Sequence, residues 1–588
     1  MANLFVVNRG NVSTAIPIVE FNDIVIALDF WSAKQLRDKN IVYGTPYEYV
    51  DNATHEEVNA KAIELAQTWY KHFPDKLFYK NISLGQMAEH DFGYIFIETI
   101  RAIALAERIL SEEDTRAIYL PPKMAGNSCY RMLPRALMAM NLHIPIFILK
   151  HDIKSVISGK IDSLVSISGF ILRGMSYALG KCLHNVPMLF NSKGKNIVFF
   201  VYVPVYKRIC NELDKTKNAC LEIFLIQLPA ISKSGRKAVE EVRSFKGNFY
   251  HTMPNNFYYK GISLTAMLHD EFRHFFDVKA PALIGYIEWA ERITKVFKPK
   301  AVVVFEDATT LSRTYCRAFK NNGVPVLVIQ HGAVMERSGI GMHDFLICPL
   351  EASVQAVWGE IGVNEKQGGI GIVTGNPQYD FVHDGFNPNK LKTCHKLRLD
   401  PEKGIIVVAT EWYNSYASTH IDEVGERFIR YTLRALKKFP DKQIVIKLHP
   451  TFNKKYGEIA LAIAKEENVK VTITASYLWE LLDICDLVIV TSSTVGLDAM
   501  IVDKPVVVVN LEEQPDAIAY VPSAAKGAYN IDGIAPVVSV VLNNQQLQRE
   551  LVVGRKKFIY KYAYIQDGKA SYRVAELISK MIKNEVRE

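Results

Sequence analysis

The sequence predicts an α/β protein built from several parallel sheets, because strand-like apolar runs and helical stretches alternate along much of the chain. Two observations carry this prediction: a repeat in the first part of the chain, and a restart of the alternation after Gly404. At 588 residues the chain is too long for one core. A prior of about 150 residues per domain gives roughly three to four domains.

The repeat is visible as pairs of matching segments. Leu77–Met87 reads LFYKNISLGQM, and Phe257–Met267, 180 residues later, reads FYYKGISLTAM. IPIFIL at Ile144–Leu149 likewise matches VPVLVI at Val324–Ile329, and AERI occurs in both copies. Upstream, NDIVIALDF resembles KNIVFFVYV. Each copy reads as strand, helix, long helical insert, strand, helix and strand, so we expect two related Rossmann-like units.

After Gly404 the alternation restarts with GIIVVAT, QIVIKLHP, VKVTI, LVIVTSS and PVVVVN as strands separated by helices. A basic helical stretch from about Ser571 ends this third α/β domain. The predicted division is a Rossmann-like repeat at 1–150, a helical linker at 151–194, a second domain at 195–400 and a third at 401–588.

Composition and charge exclude several classes of protein. The formal charge of +8 suits an anionic substrate or a membrane surface, but no clustered basic stripe indicates nucleic-acid binding. No apolar run reaches the roughly 18 to 20 residues that span a bilayer, and the first residues lack a secretory signal. We therefore expect a cytoplasmic protein, with peripheral association at the inner face of the membrane left open. The eight scattered cysteines indicate buried thiols rather than zinc ligands or a disulfide framework.

Polar residues follow two predicted strands of the third domain. IVIKLHPTFNKK places Lys447, His449 and Pro450 after one strand, and DLVIVTSSTVGLDAM places a Ser/Thr run after another. Ligands of open α/β sheets bind beyond the carboxyl ends of strands, and a helix amino terminus there attracts phosphate. We therefore expect a phosphate site that includes Ser492, Ser493 and Thr494, although a run of this kind also serves as a plain helix cap.

The second unit carries candidate acid–base residues. AVVVFEDATT places Glu306 and Asp307 at a strand end, and VPVLVIQHGAV places Gln330, His331 and Gly332 at the next. A carboxylate or an imidazole at this edge can act as a general base. The first unit has Pro122 and Lys123 where the second has the two acids, so it has the framework without the acidic pair.

The order VIQHG, VTGNPQYD, IKLHP, TSSTVGLDA and DKPVVVVN resembles the GT-B glycosyltransferases of bacterial surface-polysaccharide assembly. The pattern is most similar to CDP-glycerol glycerophosphotransferases and to CMP-sugar transferases of the Kdo and sialic-acid type. The resemblance covers roughly residues 195–588 and leaves the first copy outside. It implies a GT-B pair of Rossmann-type domains with an additional amino-terminal Rossmann-like domain.

The resemblance also implies roles for individual residues. The cytidine nucleotide of the donor would bind at His449, Pro450, Ser492, Ser493 and Thr494. Strand alternation places Lys447 on the same side as His449, so we expect Lys447 to contact the nucleotide as well. Asp307 is the first choice for the base, followed by Glu306, with His331 as the glycerophosphotransferase-like alternative. The acceptor side or cleft would include Gln330, Gly332, Gly375 and Asn376.

The sequence therefore predicts an inverting, metal-independent glycosyltransferase without a cofactor. It would move a sugar from a nucleotide-activated donor, most simply a CMP-sugar, to a glycan, glycolipid or glycoprotein acceptor. Two alternatives stay open: an enzyme like UDP-N-acetylglucosamine 2-epimerases, whose glutamate pair is missing here, and a non-catalytic scaffold of glycan assembly.

Overall fold

The computed structural model describes residues 2–49, 52–73, 75–122, 130–140, 143–150, 195–201, 206–223, 232–253, 257–332, 351–363, 369–386, 389–410, 421–449, 453–491, 493–511 and 522–586. The predicted helical linker at 151–194 lies outside these residues, so its helices stay a prediction.

The first unit holds a parallel sheet and a small hairpin. Its strands are β1 (Ala2–Val7), β2 (Ile24–Ala27), β3 (Phe78–Tyr79), β4 (Ile82–Ser83), β5 (Thr115–Leu120) and β6 (Ile146–Ile148). Its helices are α1 (Val12–Ala15), α2 (Phe30–Asp38), α3 (Asn52–Thr68), α4 (Leu84–Met87), α5 (Glu89–Glu112) and α6 (Leu133–Ala139). The sheet order is β2-β1-β5-β6, and β3 pairs with β4 as the antiparallel hairpin.

The second unit repeats this plan and extends it. Its strands are β7 (Asn196–Val201), β8 (Asn218–Ile223), β9 (Tyr258–Tyr259), β10 (Ile262–Ser263), β11 (Ala301–Val304), β12 (Val326–Ile329), β13 (Val354–Val357) and β14 (Ile370–Val373). Its helices are α7 (Tyr206–Asp214), α8 (Lys233–Thr252), α9 (Leu264–Met267), α10 (His269–His274), α11 (Ala280–Phe297) and α12 (Thr310–Asn321). The parallel sheet runs β14-β13-β12-β11-β7-β8.

The sheet orders confirm the repeat. The order β2-β1-β5-β6 of the first unit equals the order β8-β7-β11-β12 of the second, which adds β13 and β14 at its edge. This topology also corrects one alignment, because NDIVIALDF contains β2, whose counterpart is β8, whereas KNIVFFVYV contains β7. Neighbouring parallel strands are both short apolar runs, so the pattern alone does not distinguish them.

The third unit follows two short helices, α13 (Asp380–His383) and α14 (Lys390–Leu397). Its strands are β15 (Gly404–Ala409), β16 (Lys442–Lys447), β17 (Val471–Thr474), β18 (Leu487–Val490), β19 (Val506–Val509) and β20 (Lys526–Ala528). Its helices are α15 (Ile421–Leu436), α16 (Asn453–Glu466), α17 (Leu478–Ile484), α18 (Val495–Ile501), α19 (Ile534–Asn543), α20 (Gln545–Ala563) and α21 (Ala570–Ile582). The parallel sheet runs β17-β16-β15-β18-β19-β20, so the predicted α/β fold class is confirmed.

The final helix returns to the second unit. Val574, Leu577 and Met581 of α21 share a core with Val198 and Phe200 of β7. Although α21 follows the third sheet in the chain, its apolar face is therefore buried against the second. The third unit is therefore connected to the second at both of its ends: by the chain that enters it and by α21, which leaves it.

The two copies of the repeat pack against each other about a pseudo-twofold axis. Phe92 and Phe272, which occupy the same position in the two copies, stack with ring centroids 5.0 Å apart. Lys80 of the first copy pairs with Glu291 of the second, and Lys260 of the second pairs with Glu107 of the first. A self-complementary interface of this kind is typical of a twofold dimer, here formed within one chain.

Two of the cysteines are paired in the structure. Cys210 and Cys220 form a disulfide between α7 and β8, so the prediction that the cysteines are all free thiols is wrong for this pair. The packing of α7 on β8 brings the two cysteines together. Their spacing of ten residues in the sequence does not by itself indicate a disulfide.

In the described ranges, no helix combines the length and apolar character that crossing a membrane requires.

Candidate active site between the second and third units

The carboxyl edge of the third sheet carries Lys447 and His449. Lys447 ends β16 and is buried, and its Nζ donates to the carbonyl of Leu448 at 2.9 Å. The backbone N–H of His449 donates to Oγ1 of Thr410, which follows the neighbouring β15. Burial lowers the pKa of both side chains, and the Lys447 charge lowers that of His449 further. A bound anion would stabilise the charged forms of both side chains and so raise their pKa values again.

Asp498 lies at the same edge. Its carboxylate is buried in α18 and accepts a hydrogen bond of 2.8 Å from the hydroxyl of Tyr379. Burial raises the pKa of Asp498 to about 7, while Tyr379 and the Lys447 charge act in the opposite direction. The electrostatic contact with Lys447 means that the LDAM stretch and the KLHP stretch lie together.

The Ser/Thr run precedes α18. The Oγ of Ser493 accepts from the backbone N–H of Val495 at 3.3 Å, and Thr494 lies directly before the helix. In the sheet, β15 separates β18 from β16, so the strands that lead to Ser493 and His449 are about 10 Å apart by strand spacing. Ser492 and Pro450 are outside the described residues, and their predicted contacts stay predictions.

Asp307, the first choice for the base, is placed in a structural role. Its side chain is buried, and Oδ2 accepts from the backbone N–H groups of Glu351 and Ala352, both at 2.7 Å. The carboxylate therefore fixes the chain that enters β13. These two bonds make the carboxylate part of the support of the fold at this edge.

Glu306 caps α12. Its Oε2 accepts from the backbone N–H groups of Ala308 and Thr309, at 2.8 and 2.9 Å, and its Oε1 accepts from the Thr309 hydroxyl. The negative charge near the helix amino terminus also suits the helix dipole. The two adjacent acids therefore contact different segments of the backbone: Glu306 the start of α12, and Asp307 the chain that enters β13.

His331 is the third candidate for the base. Its Nδ1 lies 3.1 Å from the carbonyl oxygen of Phe305, which can only accept, so Nδ1 carries the proton and Nε2 the lone pair in the neutral ring. Burial lowers the pKa of His331, and the Glu306 charge partly offsets that effect. A neutral imidazole whose Nε2 carries the lone pair can act as a base near neutral pH.

Gln330 and Gly332, predicted as cleft residues, take part in hydrogen bonds that connect the end of β12 to the end of β13. The Gln330 amide donates to the carbonyl of Gly332 at 2.7 Å and accepts from the backbone N–H of Trp358 at 2.8 Å. The Trp358 ring N–H donates back to the Gln330 carbonyl at 2.7 Å. These bonds position His331, which lies between the two residues.

The VTGNPQYD segment connects the second unit to the third. Gly375 has a φ of +80°, and an added Cβ would lie 3.1 Å from the Arg573 guanidinium, which explains a glycine here. Asn376 is buried and caps the following turn by accepting from Gln378. Asp380 accepts from the backbone N–H groups of Ala570 and Ser571 and so caps α21. Gly375 and Asn376 thus shape the connection.

The prediction missed the residues that join the two edges. The Trp358 ring lies 5.9 Å from the ring of Tyr379, which in turn donates to Asp498. Gln330 beside His331 is therefore connected to Asp498 beside Lys447 through two aromatic residues. Both residues belong to motifs that the sequence analysis quoted: Tyr379 to VTGNPQYD and Asp498 to TSSTVGLDA. An acidic residue within an apolar helix could have indicated that Asp498 is a functional residue.

Residues 384–511 match the sequence profile of a family described as "Capsule polysaccharide biosynthesis protein". This segment contains β15, β16 and β18 and the polar residues that follow them. It resembles capsule biosynthesis proteins. The predicted connection to surface-polysaccharide synthesis is supported at this level, and with the arrangement of the sheets the match supports a glycosyltransferase. A search of curated proteins gives no match.

Solved structures similar to this chain include both of the enzyme classes that the sequence left open. A UDP-GlcNAc 2-epimerase from Neisseria meningitidis has 16% identity and a TM-score of 0.42, over 66% of this chain and 100% of its own. The wall teichoic acid polymerase TagF has 14% identity and a TM-score of 0.38, over 73% and 98%. A glycosyltransferase from Rickettsia africae has 12% identity and a TM-score of 0.39, over 66% and 99%. At these scores the similarity does not decide between the classes.

Proposed function

We propose that the protein transfers a sugar from a nucleotide-activated donor to a surface-glycan acceptor, with direct displacement and inversion. The observation that carries this proposal is the convergence of Lys447, His449 and Asp498 at the carboxyl edge of the third sheet. This edge belongs to the segment that matches capsule biosynthesis proteins. In open α/β sheets, nucleotides bind beyond this edge.

The donor phosphate would lie between His449 and the Ser493–Thr494 turn. In the proposed step, the bond between the anomeric carbon and the phosphate oxygen breaks, and its electron pair stays on the phosphate. Lys447 and His449 stabilise the developing charge, because an anion raises the pKa of both groups from their lowered values. We retain a cytidine nucleotide, and the CMP-sugar type in particular, as part of the proposal.

We place the general base at His331 rather than at Asp307. The acceptor oxygen attacks the anomeric carbon while its proton moves to Nε2 of His331. The carbonyl of Phe305 holds Nδ1–H, and the nearby Glu306 charge stabilises the imidazolium that forms. Asp307 and Glu306, both bonded to backbone N–H groups, support the base instead of acting as it.

A binding screen with CMP, CDP, UDP and GDP tests the donor assignment. We expect CMP or CDP to raise the melting temperature of the full chain, and the His449→Ala variant to lose this effect. The same screen with and without EDTA tests the predicted metal independence. Stabilisation by UDP alone, with conversion of UDP-GlcNAc in the absence of any acceptor, would instead identify an epimerase.

The location of the protein at the inner face of the membrane stays a prediction.

A further inference from the structure

A cavity of about 1060 Å³ lies between the two copies of the repeat, apart from the candidate active site. The first copy contributes Pro122, Arg131 and Met138 to its wall, and the second contributes Tyr258 and Asp270. Pockets of about 300–1000 Å³ bury a drug-sized ligand, so this cavity has room for more than one sugar residue.

The position of the cavity is set by the repeat. Pro121 and Pro122 follow β5, and Ile148 ends β6, so the cavity lies at the carboxyl edge of the first sheet. The topological counterparts of these strands, β11 and β12, lead to Glu306 and His331. The cavity is therefore the first copy's counterpart of the proposed acceptor edge, with Pro122 in place of Glu306.

The lining suits a carbohydrate. Tyr258 is 47% exposed and Met138 is 46% exposed, so both present apolar surface to a ligand. The polar part of the wall combines guanidinium groups of Arg131 and Arg135 with carboxylates of Asp270 and Glu271. Sugar hydroxyls both donate and accept, so they can bond to both kinds of group. The charges are balanced: Arg131 pairs with Glu98, and Arg135 with Glu271 and Asp270, which disfavours a phosphate.

We propose that this cavity binds an oligosaccharide segment of the acceptor, at a site separate from the one where transfer occurs. This proposal rests on the proposed function, because it assumes a glycan acceptor. The first copy has kept the binding edge of the repeat, with Pro122 at the position that Glu306 takes in the second copy. Long acceptors would then be held by both copies and short ones only by the active site.

The test uses the full chain and oligosaccharides of graded length, prepared from the surface polysaccharide of the organism that carries it. Calorimetry without any donor measures binding, and a transfer assay measures turnover separately. We expect Tyr258→Ala to weaken binding of the longest oligosaccharides about tenfold and to leave turnover of the shortest acceptor unchanged. Met138→Ala, on the opposite wall, should weaken binding about threefold. Tyr572→Ala is the control, because Tyr572 is 53% exposed but lies on α21.

The outcomes separate the two proposals. Transfer activity with oligosaccharide binding that is unchanged in Tyr258→Ala and Met138→Ala would overturn the cavity assignment and leave the transferase intact. Wild-type protein that binds no oligosaccharide of any length would overturn it as well, including the case in which the cavity holds a protein partner. Binding that depends on Tyr258 without any transfer would keep the cavity and contradict the proposed function.

Discussion

The hydroxyl of Tyr379 donates a hydrogen bond of 2.8 Å to the buried carboxylate of Asp498. Tyr379 belongs to the segment that leaves the second unit, and Asp498 to a helix of the third. The bond therefore holds the connection between two units against the edge at which Lys447 and His449 lie.

Removing the Tyr379 hydroxyl tests this role. We expect Tyr379→Phe to lower the free energy of unfolding by about 1–3 kcal/mol, because the buried carboxylate loses its donor. Nucleotide affinity should fall as well, since the segment is less firmly held. Urea denaturation and calorimetry measure the two effects. Tyr572→Phe, at an exposed tyrosine, is the control. Equal stabilities for the two variants would show that the bond contributes nothing.

The raised pKa of Asp498 predicts a pH dependence with a defined sign. Between the ordinary Asp pKa of 3.8 and the folded value of about 7, the unfolded chain loses this proton while the folded chain keeps it. The contribution of this group therefore lowers stability as the pH rises through that window, by a few kcal/mol at most. Asp498→Asn removes the effect, so the stability of the variant relative to wild type should be higher at pH 8 than at pH 5. Denaturation at both values measures it, and an identical difference at each would contradict the assignment.

The base is tested by a pair of substitutions. We expect His331→Ala to lower kcat by a hundredfold or more while CMP binding stays normal, since general bases contribute about 10²–10⁴. Asp307→Asn should mainly lower stability, because a neutral amide oxygen accepts more weakly than a carboxylate from the N–H donors of Glu351 and Ala352. Near-normal turnover of His331→Ala together with a large kcat loss in a stably folded Asp307→Asn would return the role to the carboxylate.

His449 and Ser493 should differ in their effects on the donor. We expect His449→Ala to weaken nucleotide binding and turnover together, because the phosphate loses a contact in both the ground and transition states. Ser493→Ala should cost less, since backbone N–H groups remain. Titration with CMP and CDP and steady-state kinetics measure both. The reverse ranking would mean that the hydroxyl matters more than the imidazole.

The repeat interface should derive more stability from its buried bonds than from its ion pairs. The Tyr79 hydroxyl donates to Glu288 at 2.7 Å in a buried position, whereas Lys80 is 35% exposed beside Glu291. We expect Tyr79→Phe to cost about 1–3 kcal/mol and Lys80→Ala less than about 1 kcal/mol. Urea denaturation of both variants compares them. A larger loss for Lys80→Ala would contradict this ranking.

Several features could be predicted from the sequence alone because they depend on local pattern. Strands β15 to β19 of the third sheet are apolar runs, and each was expected where the structure has it, with Lys447 and His449 at the end of β16. The edge strand β20, with the sequence KGA, is not an apolar run and was not predicted. The repeat appears as an offset of 180 residues, and Phe92 and Phe272 keep that offset across the pseudo-twofold axis. The repeat and the ends of the strands are visible in the order of the residues along the chain, so they can be predicted without knowledge of tertiary contacts.

The tertiary structure decided what those residues contact. Asp307 is bonded to the backbone at Glu351 and Ala352, far along the chain, and no local pattern shows that these N–H groups arrive there. The same holds for α21, which buries its apolar face on the second sheet rather than the third, and for Tyr379 with Asp498. A side chain that leaves a strand takes the direction its distant partners allow, because a buried polar group must be paired. The sequence by itself therefore determined the elements and the edges, and packing determined which polar groups at those edges remain available for chemistry.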